Sequence, residues 1–167
     1  SILGNVPTRL LAVLLLGIPA GAWQATTVRD AAPIADAAMR GDVAAVRALV
    51  QRGGDVNAAQ GDGMTALHWA ANRGDSTLAQ LLLSARANVR ATTRIGAFTP
   101  LHIAAQYAQA GVVRALLRAH ADARAVTSDS VGVLHLAAMG GDTSIIAALL
   151  RAGADVNAAE PAWGQTP

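Results

Sequence analysis

The 167-residue sequence contains no cysteine. That excludes a disulfide scaffold, a thiolate metal site, a cysteine nucleophile and an N-terminal lipid anchored on cysteine. Lysine is absent as well, and all thirteen basic residues are arginine. The isoelectric point near 10.4 therefore reflects guanidiniums that stay charged to very high pH, while the formal net charge is only +2. These arginines alternate with aspartates instead of gathering into the basic stripe that a phosphate backbone requires, so nucleic acid is not an expected partner. Aromatic residues are also scarce, with one Phe, one Tyr and three Trp in a chain that is 53% hydrophobic. The core must then be built from Ala, Leu and Val. Alanine is the best helix former and lets backbones approach closely, so an all-α fold is predicted.

The longest apolar run, Leu10 to Ile18, has nine residues. A stable membrane span needs about 20, so none is expected. Arg9 precedes the run and the small-x-small triplet Ala20-Gly21-Ala22 follows it. That order is the pattern of a secretory signal peptide, here residues 1–22 with cleavage before Trp23. The alternative is an uncleaved helix packed on the domain, which would leave the protein in the cytoplasm. Residues 23–31 read as an unstructured linker.

From residue 32 the chain copies itself. Thr65-Ala66-Leu67-His68-Trp69-Ala70-Ala71 returns as Thr99-Pro100-Leu101-His102-Ile103-Ala104-Ala105 and as Gly132-Val133-Leu134-His135-Leu136-Ala137-Ala138. A degenerate copy starts at Ala32 and another begins at Thr166-Pro167, so the steps are 33, 34, 33 and 34 residues. A fixed period of this size is the signature of a solenoid. Threonine caps a first helix, and proline beside it occupies a position where its missing N–H costs nothing. Gly41, Gly74 and Gly141 end that helix, and Asp42, Asp75 and Asp142 cap a second. The second helix is predicted to bury Val46, Leu49 and Val50, then Leu78, Leu82 and Leu83, then Val113, Leu116 and Leu117, then Ile146, Leu149 and Leu150. Gly53-Gly54-Asp55-Val56-Asn57-Ala58 and Gly153-Ala154-Asp155-Val156-Asn157-Ala158 close their units with a turn.

The TPLH-x-AA start, the paired apolar residues of the second helix and the GADVNA ending together resemble the ankyrin repeat, across residues 32–165. The resemblance implies an all-α solenoid of stacked helix-turn-helix units with β-hairpin-like fingers. The units would be 32–64, 65–98, 99–131 and 132–165, with 166–167 opening a fifth. Joined to the leader, it implies a bacterial protein that is secreted or periplasmic. Departures from the pattern predict weak points. Ala32 loses the threonine cap at about 1 kcal/mol, whereas Gly132 loses only a few tenths. Arg86 and His120 stand where Gly53 and Gly153 occupy a left-handed turn, a cost of about 1–2 kcal/mol if the conformation is kept. Ala108-Gln109 likewise replaces Gly-Asp.

The repeated histidines do not make a metal site. One repeat separates His68, His102 and His135, about 10 Å between packed helices, whereas Zn–N bonds are about 2.0–2.1 Å. The resemblance gives them a structural role, bonding the turn and finger backbone. No general base stands near a nucleophile at a recognisable spacing, Glu160 is the only glutamate, and Gly61-Asp62-Gly63 lies in a finger. Neither catalysis nor a metal or other cofactor is expected. The resemblance instead points to a concave face: Asp36, Met39 and Arg40; Trp69, Asn72 and Arg73; Ile103, Gln106 and Tyr107; Leu136, Met139 and Gly140. Fingers add Met64, Arg94, Phe98 and Trp163. Aromatic residues, Met and Arg are the types enriched at interface centres. Ile103 and Leu136 lean towards packing.

The function implied is non-catalytic capture of a protein partner by a monomer, through a groove centred on Trp69 and Tyr107. The alternative is the substrate-recognition part of a larger enzyme or effector. Its motivation is Thr166-Pro167, which opens a unit the chain does not complete, so further sequence is expected after Pro167.

Overall fold

The computed structural model describes residues 32–158, 164, 166 and 167. The signal-peptide and linker expectations for residues 1–31, and the finger role of Trp163, lie outside the described residues. Each unit is a pair of short helices. The first pair is α1 (Pro33–Arg40) and α2 (Val43–Gln51), followed by α3 (Ala66–Arg73) with α4 (Ser76–Ser84). Then come α5 (Pro100–Gln106) with α6 (Ala110–Arg118), and α7 (Val133–Gly140) with α8 (Thr143–Arg151). The odd-numbered helices stack in a row, α1 on α3 on α5 on α7, and α4, α6 and α8 form a parallel row behind them.

Local chemistry sets most of the boundaries between paired helices. α1, α3 and α7 end on glycines with left-handed φ of 74°, 69° and 72°, at Gly41, Gly74 and Gly141, a region L side chains reach only with strain. One residue later Asp42, Asp75 and Asp142 accept the N–H groups of Ala45, Leu78 and Ile145, at 2.9, 2.8 and 3.4 Å. Gln109 makes no such cap in the third unit. The alanine pairs let the helices meet: Ala37, Ala38, Ala70, Ala71, Ala104 and Ala105 are sealed between neighbouring units. Beneath them Ile34, Leu67, Leu101 and Leu134 form one continuous core with Leu82, Leu116 and Leu149 of the second row. Each such leucine contributes about 2 kcal/mol of apolar burial.

One expectation needs correction. In the fourth unit Ile145, not Ile146, is fully buried, and Leu150 is exposed. Both i+3 and i+4 from the aspartate cap face inward, as Val112 and Val113 do together, so a stripe of single positions was too narrow. The fingers are hairpin-like turns closed by backbone bonds from Gln60 to Met64, Thr93 to Phe98 and Thr127 to Val131. Among the described residues they show one isolated antiparallel bridge, Val126 to Gly132, and no strand.

The weak turns are where the departures placed them. Arg86, Ala108 and His120 adopt left-handed φ of 65°, 53° and 61°. Replacing any one by glycine is expected to raise stability by about 0.5–1 kcal/mol, after the extra freedom glycine gives the unfolded chain. Urea unfolding of the three single variants checks this, and no gain at any of them would mean the turns carry no strain.

Candidate functional site

The face opposite the second row is assembled by two capping boxes. Nδ1 of His68 accepts the Thr65 N–H at 3.1 Å, with the Thr65 hydroxyl 2.8 Å away. An accepting Nδ1 puts the proton on Nε2, which donates to the Phe98 carbonyl at 3.0 Å. His68 thus bonds its own helix start to the base of the next finger. His102 repeats the box with Thr99, at 3.2 Å to the N–H and 2.8 Å to the hydroxyl. Its Nε2 turns towards the Ala125 and Val131 carbonyls without reaching hydrogen-bond geometry. Burial pushes the pKa of both histidines down, that of His102 to about 4. The fourth unit has Gly132 in the threonine place and no side-chain cap.

The fingers are then tied to one another. The Arg94 N–H donates to the Asp62 carbonyl at 2.8 Å, and the Ser128 N–H to the Gly96 carbonyl at 2.9 Å. Gly63 makes the first contact possible: its φ is +87°, and a Cβ there would lie 2.7 Å from the Arg94 nitrogen. Within the second finger the Thr93 hydroxyl donates to the Ile95 carbonyl at 2.7 Å and accepts the Phe98 N–H at 3.0 Å. The Phe98 ring folds over Gly96 and meets His102 edge-on, with ring centroids 6.0 Å apart.

Between these two fingers and the inner helices α3 and α5 lies an open pocket of about 290 Å³. It gathers Met64, Asn72, Phe98, Ile103, Gln106 and Tyr107, six of the residues expected from sequence, with Asp62, Thr93 and Ile95. The last three were missed. Ile95, 85% exposed, carried a usable signal as an apolar residue at a finger tip beside Gly96. Asp62 and Thr93 carried none, since only stacking brings the two fingers together.

The remaining expected residues divide. Trp69 is half-buried; its Nε1 donates to Gln60 at 2.8 Å, and Gln60 in turn donates to Asp36 at 2.6 Å. It lies outside the pocket that Tyr107 lines. Ile103 and Leu136 are each only 7% exposed. At these two positions the slot after histidine is buried, in keeping with the lean towards packing. Met39 and Arg40 are exposed at the end of α1, and Arg94 is exposed on the second finger. Arg73 lies across the Gly41 turn and reaches the Met39 carbonyl at 3.4 Å. Met139, 84% exposed, lines a separate cleft with Leu136, Thr166 and Pro167. Among the described residues no group of His, Asp or Glu could hold a metal ion, and no helix is long and apolar enough to cross a membrane.

The model of ankyrin repeats, in sets of three copies, matches residues 12–93, 34–129 and 101–167. The chain belongs to the ankyrin repeat family. No match is found among curated proteins. Ankyrin repeats generally mediate protein–protein interaction and are an interaction fold that is typically not catalytic. The capping boxes and the bonds between fingers tie the inner helices and fingers of this ankyrin array together.

Proposed function

We propose that this ankyrin array captures a protein partner through the pocket between its first two complete fingers, acting as a monomeric, exported bacterial adaptor. The observation that carries the reading is the convergence of Met64, Phe98 and Tyr107 around one open pocket, with Tyr107 53% exposed. Tyrosine is among the residue types in which binding energy concentrates, and aromatic residues and methionine are enriched at interface centres. The leader-like order of Arg9, Leu10 to Ile18 and Ala20-Gly21-Ala22 supports export, and mass spectrometry of the secreted protein should find Trp23 at its N-terminus. An intact N-terminal run would place the protein in the cytoplasm instead.

Tyr107→Ala tests the pocket. It should weaken partner capture at least tenfold, as removal of a central aromatic does, while thermal unfolding stays nearly unchanged. Equal losses of binding and stability would make Tyr107 a packing residue. Trp69→Ala is a poorer probe, because it also breaks the bond to Gln60.

A further inference from the structure

We propose that the occupant of this pocket is an extended, acidic segment of the partner, with an apolar side chain about three residues from its carboxylates. The inference rests on the pocket reading above and adds the chemistry of what binds there. Two positions recur along the inner helices. The one after the alanine pair reads Met39, Asn72, Gln106 and Met139, and the next reads Arg40, Arg73, Tyr107 and Gly140. Asn72 and Gln106 flank the pocket on successive units, and neither side chain bonds to another described residue. Free primary amides offer a donor and an acceptor each, which suits the alternating N–H and C=O of an extended backbone. Stacked helices stand about 8–10 Å apart. An extended chain rises about 3.3 Å per residue, so it meets one unit for every three residues.

Charge decides the direction. The carboxylates of the described units are largely engaged with backbone: Asp42, Asp75 and Asp142 cap helices, and Asp55, Asp122 and Asp155 close turns. Asp62 accepts the Met64 N–H and Asp36 the Gln60 amide. No described carboxylate pairs with Arg40 or Arg73, and among the described residues Arg73 keeps only its long bond to Met39. The fingers carry one charge of each sign beside the pocket, Asp62 and Arg94, whose backbones are bonded. Arg40 and Arg73 stand in the last turns of α1 and α3, while Asp36 lies in the first turn of α1 and is bonded to Gln60; on the next unit Tyr107 caps α5 and lines the pocket. Guanidiniums favour carboxylates as bidentate partners. Carboxylates over Arg40 and Arg73 would leave the third residue onward at the pocket, where Phe98 and Tyr107 take an apolar side chain.

A random-peptide display library panned on the full chain tests this. Enriched peptides should carry Asp or Glu about three positions from an aromatic or branched aliphatic residue, and their binding should fall several-fold as salt is raised. On the Arg40→Gln/Arg73→Gln variant the acidic preference should vanish while the apolar one persists. Enrichment without an acidic bias, an acidic bias that survives on that variant, or no enrichment at all would overturn the inference. The broader reading fails separately, if natural partner capture is indifferent to Tyr107→Ala.

Discussion

His68→Ala is expected to cost about 3 kcal/mol, the sum of a small buried cavity and a stranded buried N–H. His68 is fully buried and holds two elements at once, the Thr65 N–H on one ring nitrogen and the Phe98 carbonyl on the other. Alanine leaves Thr65, itself buried, with no acceptor for that N–H. For a domain of this size the melting temperature should fall by about 10 °C. The finger at Phe98 should also loosen, so its amides should exchange faster with solvent than those of the finger closed by Val131. A loss below about 1 kcal/mol would mean that the box is incidental to the fold.

Acidification provides the second large effect. The folded-state pKa of His102 is held down to about 4 by burial, and that of His68 is lowered for the same reason. Their geometry agrees, because a proton added at Nδ1 would point at the Thr99 or Thr65 N–H that it now accepts. The unfolded chain binds these protons near pH 6.5 and the folded chain only near 4 for His102. Stability is therefore full above about pH 6.5, falls as pH drops towards 4, and levels off below that for His102. One such group accounts for about 3 kcal/mol over the window. The N-cap Asp142, whose pKa is lowered by its bonds to Ser144, acts in a lower window, below the usual carboxylate value. Urea unfolding across pH 7 to 4 checks the prediction. The slope should flatten in His102→Gln, and a flat profile in the parent protein would contradict it.

Much of this architecture was legible because its determinants are local. A glycine that needs left-handed φ, an aspartate one residue later and a threonine three before a histidine each announce a boundary without knowledge of the partner helix. The same logic located the strained turns at Arg86, Ala108 and His120, but not those at Ala97 and Ser130, which also have positive φ. These last two belong to fingers whose shape depends on hydrogen bonds within and between fingers. Tertiary contact likewise decided the site. Ile103 and Trp69 share one slot of the repeat, yet Ile103 is buried and Trp69 half-exposed, since their surroundings differ. The pocket is lined by expected residues from helices (Asn72, Ile103, Gln106, Tyr107) and fingers (Met64, Phe98), and also by Asp62, Thr93 and Ile95, which only the stacking of two fingers from different units brings there.

The central claim is that the protein works by binding through the pocket face. Hydrogen exchange of the chain, alone and bound to the partner recovered by crosslinking in its native compartment, tests it most directly. Protection should appear in the fingers at 58–64 and 91–98 and at the ends of α3 and α5 around Asn72 and Tyr107, with α4 and α6 unchanged. Protection confined to α4 and α6, with the fingers exchanging as in the free protein, would contradict the account.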